Sequence, residues 1–108
     1  MTPGTIVLIP FPFAELTNIK VRPALVVCET KDKYQDLILC AISSVMPTTV
    51  GAFEIALRPN PLNNLRVPSI VKIDRIVTLK RIDVITTLGK LSDAERLAFK
   101  SKFKQLVD

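Results

Sequence analysis

Aliphatic runs broken by short polar or proline-containing stretches occupy most of the chain, and their lengths are typical of β-strands. The strands are predicted at residues 5–13, 22–29, 37–42, 52–57, 69–78 and 84–88, with 69–78 open to being one strand or two. Pro10 and Pro12 alternate within the first strand, so their missing N–H groups fall on one side, as an edge strand permits. The pattern therefore predicts a protein that is mainly β.

In the C-terminal segment the spacing of apolar residues becomes helical, which predicts the only helix expected from the pattern. Ser92 is a good N-cap, and Glu95 three residues later completes a capping-box pattern. The apolar residues that follow do not form a single stripe on the helix, so we expect the helix to pack on the sheet and on something else, such as a second subunit.

The predicted strands are joined by stretches rich in turn-forming residues. Residues 14–21, 30–36, 45–51 and 58–68 are interpreted as loops, and 58–68 has the strongest signal because it combines three prolines with three asparagines. Short strands, proline-rich loops and one closing helix predict a small barrel or curled antiparallel sheet. We expect one domain over residues 1–108, with no repeats.

Composition restricts the core and the location. Hydrophobic residues make up 48% of the 108 residues and aromatic residues only 6%, so the core must be aliphatic and the apolar surplus favours a subunit interface. No apolar run is long enough for a membrane helix, and the N-terminus lacks the basic start of a signal peptide, which predicts a cytoplasmic protein. Cys28 and Cys40 lie in apolar runs and are predicted to be free, buried thiols.

The chain has no histidine, which removes the commonest metal ligand and the commonest general acid or base. Zinc chemistry and Ser-His or Cys-His triads are therefore not expected, and no metal or other cofactor is predicted. The net charge of +5 favours a nucleic acid or an acidic protein as partner. Charge alone leaves both open, together with a simple role in solubility.

Arg22 and Ser43 are the candidate catalytic pair. Pro23 restricts Arg22 to an extended conformation, and the apolar run Ala24-Leu25-Val26-Val27 anchors it at a strand entrance. If the second and third strands are adjacent and antiparallel, Arg22 and Ser43 lie at one rim of the sheet. A guanidinium beside a hydroxyl suits a phosphodiester, whereas a strand-end cation and a turn serine are the simpler interpretation.

Several further residues are candidates for contacting an RNA strand, although a solvated basic surface explains them equally well. The basic candidates are expected to line a phosphate path, Thr48 to support Ser43 together with Thr49, Ser44 to contact the RNA, and Lys20 to lie on the loop that approaches Arg22. These candidates are Lys20, Ser44, Thr48, Lys72, Arg75 and Lys80.

Four segments, in order, resemble the PemK/MazF family of toxin ribonucleases. The first is Gly4-Thr5-Ile6-Val7-Leu8 with Pro10-Phe11-Pro12-Phe13, followed by Arg22-Pro23-Ala24-Leu25-Val26-Val27. Ala41-Ile42-Ser43-Ser44 is similar to the second motif, Ser69-Ile70-Val71-Lys72-Ile73-Asp74-Arg75-Ile76-Val77-Thr78-Leu79 to the third, and Gly89-Lys90-Leu91-Ser92 leads into the terminal helix.

The resemblance implies an SH3-like barrel of the CcdB/MazF type and a homodimer. It further implies metal-independent cleavage of single-stranded RNA, leaving a 2′,3′-cyclic phosphate and a 5′-OH, and inhibition by an acidic antitoxin. The family's catalytic arginine corresponds to Arg22. Its catalytic hydroxyl, usually threonine, corresponds to Ser43.

Three positions depart from the family pattern, and two other functions remain open. Thr17 stands where some members have a loop glutamate, Arg75 where glutamine is common, and Val45 where a polar residue is frequent. The alternatives are a CcdB-like poison of DNA gyrase, which would need no rim site, and a catalytically silent domain that binds RNA or antitoxin.

Overall fold

The computed structural model describes residues 1–12 and 19–108, and within them six strands form one antiparallel sheet. The strands are β1 (Thr5–Pro12), β2 (Ile19–Glu29), β3 (Leu37–Ser43), β4 (Glu54–Leu57), β5 (Ser69–Leu79) and β6 (Thr86–Lys90), in the spatial order β4-β5-β3-β2-β1-β6. A short 3₁₀ helix (Arg81–Asp83) precedes β6, and α1 (Asp93–Gln105) ends the fold. The sheet curls into a half-barrel, which confirms the predicted fold class.

The sheet has an apolar cluster on each of its faces, because side chains alternate along a strand. Leu25, Cys40 and Ile42 belong to a cluster inside the half-barrel, and Phe99 of α1 packs into it. A second cluster on the other face is built by Ala24, Val26, Leu37 and Leu39 together with Val7 and Ile9. The buried residues of both clusters are aliphatic apart from Phe99 and Cys40, as the composition predicted.

β1 accommodates its two prolines because β6 is short. β6 pairs with β1 only over Thr5–Leu8, whereas β2 pairs with β1 as far as Pro12. Pro10 and Pro12 therefore lie where β1 has a partner strand on one side only, and their missing N–H groups interrupt no ladder between strands.

Several strand boundaries differ from the sequence-based expectation, by one residue at the ends of β3 and β5, by two at the start of β4, and most at β2 and β6. β2 begins at Ile19, so Lys20 and Val21 belong to the strand and not to the preceding loop. The expected loop at 14–21 otherwise lies mostly outside the described residues. β6 spans Thr86–Lys90, and not 84–88, because the 3₁₀ helix occupies Arg81–Asp83 and Gly89 continues the pairing with Ile6.

β5 is one strand with a bulge. Ile76 pairs with Cys40 and Lys72 with Ala41, so residues 73–75 on β5 have no counterpart on β3. The Cys40 thiol lies at this bulge and donates to the Ile73 carbonyl oxygen at 3.3 Å. The extra residues displace Asp74 and Arg75 outward, and both side chains are exposed.

Burial makes the Cys40 thiol a source of pH-dependent stability. Burial first, and then the charge of Asp74, raises the pKa of Cys40 from its ordinary value of 9.0 to about 12. Above pH 9.0 the unfolded chain releases this proton and the folded chain does not. We therefore expect the free energy of unfolding to fall by roughly 1 kcal/mol per pH unit as pH rises from 9.0 towards 12. Urea titrations of wild type and Cys40→Ala measure this: the variant should show a shallower fall, and equal slopes would contradict the assignment.

α1 confirms the predicted helix and its cap. The Ser92 hydroxyl accepts from the Glu95 N–H at 3.2 Å, and the Glu95 carboxylate accepts from the Ser92 N–H at 2.9 Å. Phe99 is the one fully buried residue of α1, whereas Leu97 is 69% exposed. The apolar residues of α1 thus face in more than one direction, as the sequence indicated.

The loop at residues 58–68 spans the gap between β4 and β6. The Lys90 N–H donates to the Leu62 carbonyl oxygen at 3.1 Å, and the Asn64 side chain donates to the Leu88 carbonyl oxygen at 2.6 Å. The buried Asn63 side chain holds the loop in shape, since it accepts from two backbone N–H groups and donates to the Arg58 carbonyl oxygen. This loop is named the crossing loop.

Gly89 allows the crossing loop to lie directly on β6. A Cβ at Gly89 would stand 2.2 Å from the Leu62 carbonyl oxygen and 2.9 Å from Asn63 backbone atoms. We expect Gly89→Ala to lower the free energy of unfolding by about 3 kcal/mol, because the backbone has to move. Gly51→Ala is the matched control, since its Cβ would meet only the end of the Glu54 side chain at 3.0 Å. Equal urea midpoints for the two variants would contradict this packing.

Candidate active site

Arg22 and Ser43 lie on adjacent strands, just beyond the end of the ladder that pairs the two strands. β2 and β3 are antiparallel, and their ladder ends with Ala24 paired with Ala41. The same register continued by two residues sets Arg22 across from Ser43. Both side chains point to the face of the sheet that carries Ala24 and Ala41, because alternate residues of a strand share a face. The conditional geometry predicted from the sequence is therefore present.

The strands hold both residues at the end of a buried segment. Ala24, Leu25 and Val26 are buried immediately after Arg22, and Ile42 is buried immediately before Ser43. Arg22 and Ser43 themselves are half-buried. A rigid apolar platform thus ends in a guanidinium and a hydroxyl that remain accessible.

The Ser43 hydroxyl has a defined orientation. Its oxygen accepts from the Val45 N–H at 3.1 Å, which fixes the turn that leaves β3. With an acceptor position occupied in this way, the O–H proton is directed elsewhere and is available to an acceptor on a bound ligand.

Three cavities that share lining residues lie around Arg22 and Ser43. The mouth cavity, about 430 Å³, lies between the crossing loop and the strands β1, β2 and β6. The central cavity, about 220 Å³, lies over Arg22 and Ser43 and shares Arg22 and Ser44 with the mouth cavity. The bulge cavity, about 520 Å³, shares Ser43 with the central cavity and extends to the β5 bulge. The central and bulge cavities lie on the face of the sheet that carries Arg22 and Ser43. Leu8 and Leu65 of the mouth cavity belong to the opposite face, so the mouth cavity adjoins the central cavity around the end of β3. The three adjoining cavities are named the groove.

Lys72 and Arg75 line the bulge cavity with Asp74. Lys72 is half-buried, and its ammonium group lies 3.7 Å from Glu54 Oε2. Glu54 Oε1 in turn accepts from the Gly51 N–H at 2.8 Å, so one carboxylate connects Lys72 to the loop between β3 and β4. Arg75 is exposed on the bulge.

The other predicted contact residues are not all brought to the groove. Lys20 is exposed on β2, two residues before Arg22 and on the same face, and Ser44 is exposed between two of the cavities. Thr48 is exposed in the loop after β3. Lys80 follows Leu79, which pairs with Leu37 at the opposite end of β3 from Ser43, on the order of 20 Å away. Lys80 is therefore not part of the groove.

Arg66 and Val67 were not among the residues that the sequence indicated, yet both line the mouth cavity. Their position follows from the crossing loop, which brings residues 64–67 to β1, β2 and β6. The only local signal was the asparagine-rich turn at residues 60–64, which predicts an ordered loop but not where it lies.

Two further findings concern the described residues. Among residues 1–12 and 19–108 no helix is long and apolar enough to cross a membrane. Cys28 and Cys40 are both free thiols, as predicted, but only Cys40 is buried. The expected burial of Cys28 is wrong, because Cys28 is half-buried beside the irregularity in the β2–β3 pairing.

Taken together, the curled half-barrel and its arginine–serine rim define a small β-protein with a candidate phosphate site. The chain belongs to the family of PemK-like, MazF-like toxins of type II toxin-antitoxin systems, whose model matches residues 2–107. Toxins of this family are RNA-cleaving enzymes, which confirms the enzyme class expected from the sequence. No curated protein sequence matches the chain.

Solved structures of mycobacterial toxins share the fold. The chain is similar to Mycobacterium tuberculosis toxin MazF-mt6, with a TM-score of 0.73, 20% identity, and coverage of 99% of this chain and 97% of that one. It is also similar to an endoribonuclease in complex with its cognate antitoxin from a mycobacterial species, with a TM-score of 0.73, 15% identity, and coverage of 99% and 94%. A further mycobacterial endoribonuclease has a TM-score of 0.68 at 16% identity, with coverage of 99% and 90%. These identities support the fold only.

Proposed function

We propose that this toxin cleaves single-stranded RNA, including messenger RNA, at the rim formed by Arg22 and Ser43. The observation that carries the proposal is that Arg22 and Ser43, both just beyond the β2–β3 ladder, line the same central cavity. Membership of the toxin family and the net charge of +5 support a polyanionic substrate.

In the proposed reaction the substrate supplies its own nucleophile. The 2′-oxygen attacks the adjacent phosphorus, the bond from phosphorus to the 5′-oxygen breaks, and the 2′-hydroxyl proton is transferred, through water, to the departing 5′-oxygen. The products are a 2′,3′-cyclic phosphate and a 5′-OH. No covalent bond to the protein and no cofactor is needed for this balance.

Arg22 and Ser43 would act on the negative charge that builds up on the phosphate. The guanidinium of Arg22 offers paired N–H donors to the non-bridging oxygens, and these bonds strengthen as the phosphorus becomes pentacoordinate. The Ser43 hydroxyl adds one neutral donor, because its oxygen is held by the Val45 N–H. Arg22 therefore carries the larger share of the stabilisation.

The groove on both sides of this pair would hold the strand. Lys72 and Arg75 in the bulge cavity are proposed to contact phosphates, with Lys20 and Ser44 nearer to the scissile bond. Thr48 is proposed to contact the strand from the loop after β3, whereas the placement of Lys80 takes it out of this set.

The proposed partners are an acidic antitoxin and a second copy of the chain, and the proposed location is the cytoplasm. One of the structural neighbours is itself named as a complex with its cognate antitoxin. Exposed apolar side chains, such as Leu97 at 69% and Val45 at 76%, provide surface for such contacts.

Incubation of the purified protein with long single-stranded RNA in excess EDTA tests the proposal. We expect discrete cleavage fragments, and we expect Ser43→Ala to be slower by about 5- to 10-fold, the effect of losing one neutral hydrogen bond. Intact RNA together with inhibition of DNA gyrase supercoiling would favour a gyrase poison. Intact RNA that is nevertheless bound would favour a catalytically silent domain.

A further inference from the structure

We propose that the mouth cavity binds an unpaired nucleobase next to the scissile phosphate, so that Arg66 and Val67 of the crossing loop help to select the RNA sequence that is cleaved. The inference rests on the proposed function, because it takes Arg22 as the phosphate site. It adds a recognition site on the crossing loop, in which the sequence pattern indicated no functional residue.

The position of the mouth cavity suits a neighbouring nucleotide. Arg22 and Ser44 are wall residues of both the mouth cavity and the central cavity. The two cavities adjoin around the end of β3, since Leu8 and Leu65 lie on the face of the sheet opposite Ser43. Under this proposal, a strand with a phosphate at Arg22 passes around this end of β3 and places its next nucleotide at the entrance of the mouth cavity. A single-stranded substrate can direct that base inward, since its bases are not paired.

The chemistry of the walls suits a flat, partly apolar ring. Leu8, Leu65 and Leu88 provide aliphatic surface, and Val67 stands at the rim with 48% of its surface exposed. The volume of about 430 Å³ lies within the range of ~300–1,000 Å³ that is usual for small-molecule sites. A nucleobase would bury its faces here and keep its edge towards the polar rim.

The positive charge of the mouth cavity favours an anionic ligand such as a nucleotide. Arg22 and Arg66 are its two charged residues, and no Asp or Glu is among the described residues that line it. An arginine beside a base can stack on the ring or bind the adjoining phosphate. The bulge cavity on the other side of Ser43 carries Lys72 and Arg75 together with Asp74, so its net positive charge suits backbone phosphates.

The crossing loop is ordered enough to discriminate between bases. Asn63 is buried and makes three hydrogen bonds within the loop, and Asn64 is bonded to β6. Leu65 is buried in the core cluster, so the adjacent Arg66 and Val67 are presented from a fixed backbone. Recognition residues on a supported backbone discriminate more sharply than residues on a free loop.

Methyl NMR with mononucleotides tests base binding without any need for cleavage. Protein labelled at Leu and Val methyl groups is titrated with the four ribonucleoside 5′-monophosphates and with ribose 5-phosphate. We expect at least one nucleotide to shift the Leu8, Leu88 and Val67 methyl signals, and we expect ribose 5-phosphate to leave them in place. Equal shifts by ribose 5-phosphate, or no shift by any nucleotide, would overturn the proposal.

Filling the cavity tests its role in selection. Val67→Trp should remove the nucleotide-induced shifts at Leu8 and Leu88 and change the relative rates of cleavage between sites in one long RNA by ~10-fold or more. Val107→Trp is the matched control, because Val107 is 83% exposed near the C-terminus. An unchanged pattern with Val67→Trp would refute the cavity while RNA cleavage stands, whereas failure of wild type to cleave any RNA would refute the proposed function separately.

Discussion

Replacing Arg22 with alanine is expected to lower kcat/KM for RNA cleavage by about 10²–10³-fold, with most of the loss in kcat. The guanidinium is proposed to bind the non-bridging oxygens more tightly in the transition state than in the bound substrate. Its removal should therefore slow the chemical step more than it weakens binding. Initial rates on an RNA oligonucleotide with a fluorophore and a quencher measure both constants.

Two controls separate this role from a general loss of positive charge. Arg58→Ala removes the same charge from an exposed position that lines none of the three cavities, and it should change kcat/KM by less than about 3-fold. Arg22→Lys keeps the charge without the bidentate donors and should fall between wild type and Arg22→Ala. If Arg58→Ala were as damaging as Arg22→Ala, the rim would not be the active site.

Replacing Phe99 with alanine is expected to lower the free energy of unfolding by about 3–5 kcal/mol. Phe99 is 5% exposed and is the buried residue of α1 in the cluster inside the half-barrel, against which Phe103 also packs. Its ring also lies 5.7 Å from the ring of Phe103. Because a domain of this size has only about 5–15 kcal/mol of stability, the loss is a large fraction of the total.

Leu97→Ala is the matched control for the helix. Leu97 lies on the same helix but is 69% exposed, so its replacement should change the free energy of unfolding by less than about 0.5 kcal/mol in a dilute monomeric sample. Urea denaturation of both variants gives the comparison. Similar losses for the two variants would mean that Phe99 does not anchor α1 to the sheet.

Local chemistry predicted the helix and the placement of Arg22 and Ser43 at one rim of the sheet. Ser92 and Glu95 form a capping box within four residues, and Pro23 with the apolar run after it determines where Arg22 lies on its strand. The pairing of consecutive strands then brings Arg22 to Ser43, because β2 and β3 are neighbours in the sheet. These features depend on residues close in sequence or on the commonest strand pairing.

Features that depend on distant contacts were not predicted. The bulge at residues 73–75 arises from the pairing of β5 with β3, and the crossing loop is held by bonds to Leu88 and Lys90, far along the chain. The mouth cavity with Arg66 and Val67 exists only because that loop reaches β6. The prolines and asparagines of residues 58–68 predicted a loop, but they contained no information that it would contact β6.

Cleavage of an RNA that contains a single 2′-deoxy nucleotide tests the central claim most directly. One oligonucleotide carries the all-ribose cleavage site, and its twin differs only in the missing 2′-hydroxyl at the scissile bond; both are incubated in EDTA and the fragment ends are identified by mass spectrometry. The proposed mechanism predicts a 2′,3′-cyclic phosphate and a 5′-OH from the first and no cleavage of the second. Cleavage of the deoxy-substituted strand at the same bond, or a 5′-phosphate at the new end, would contradict it.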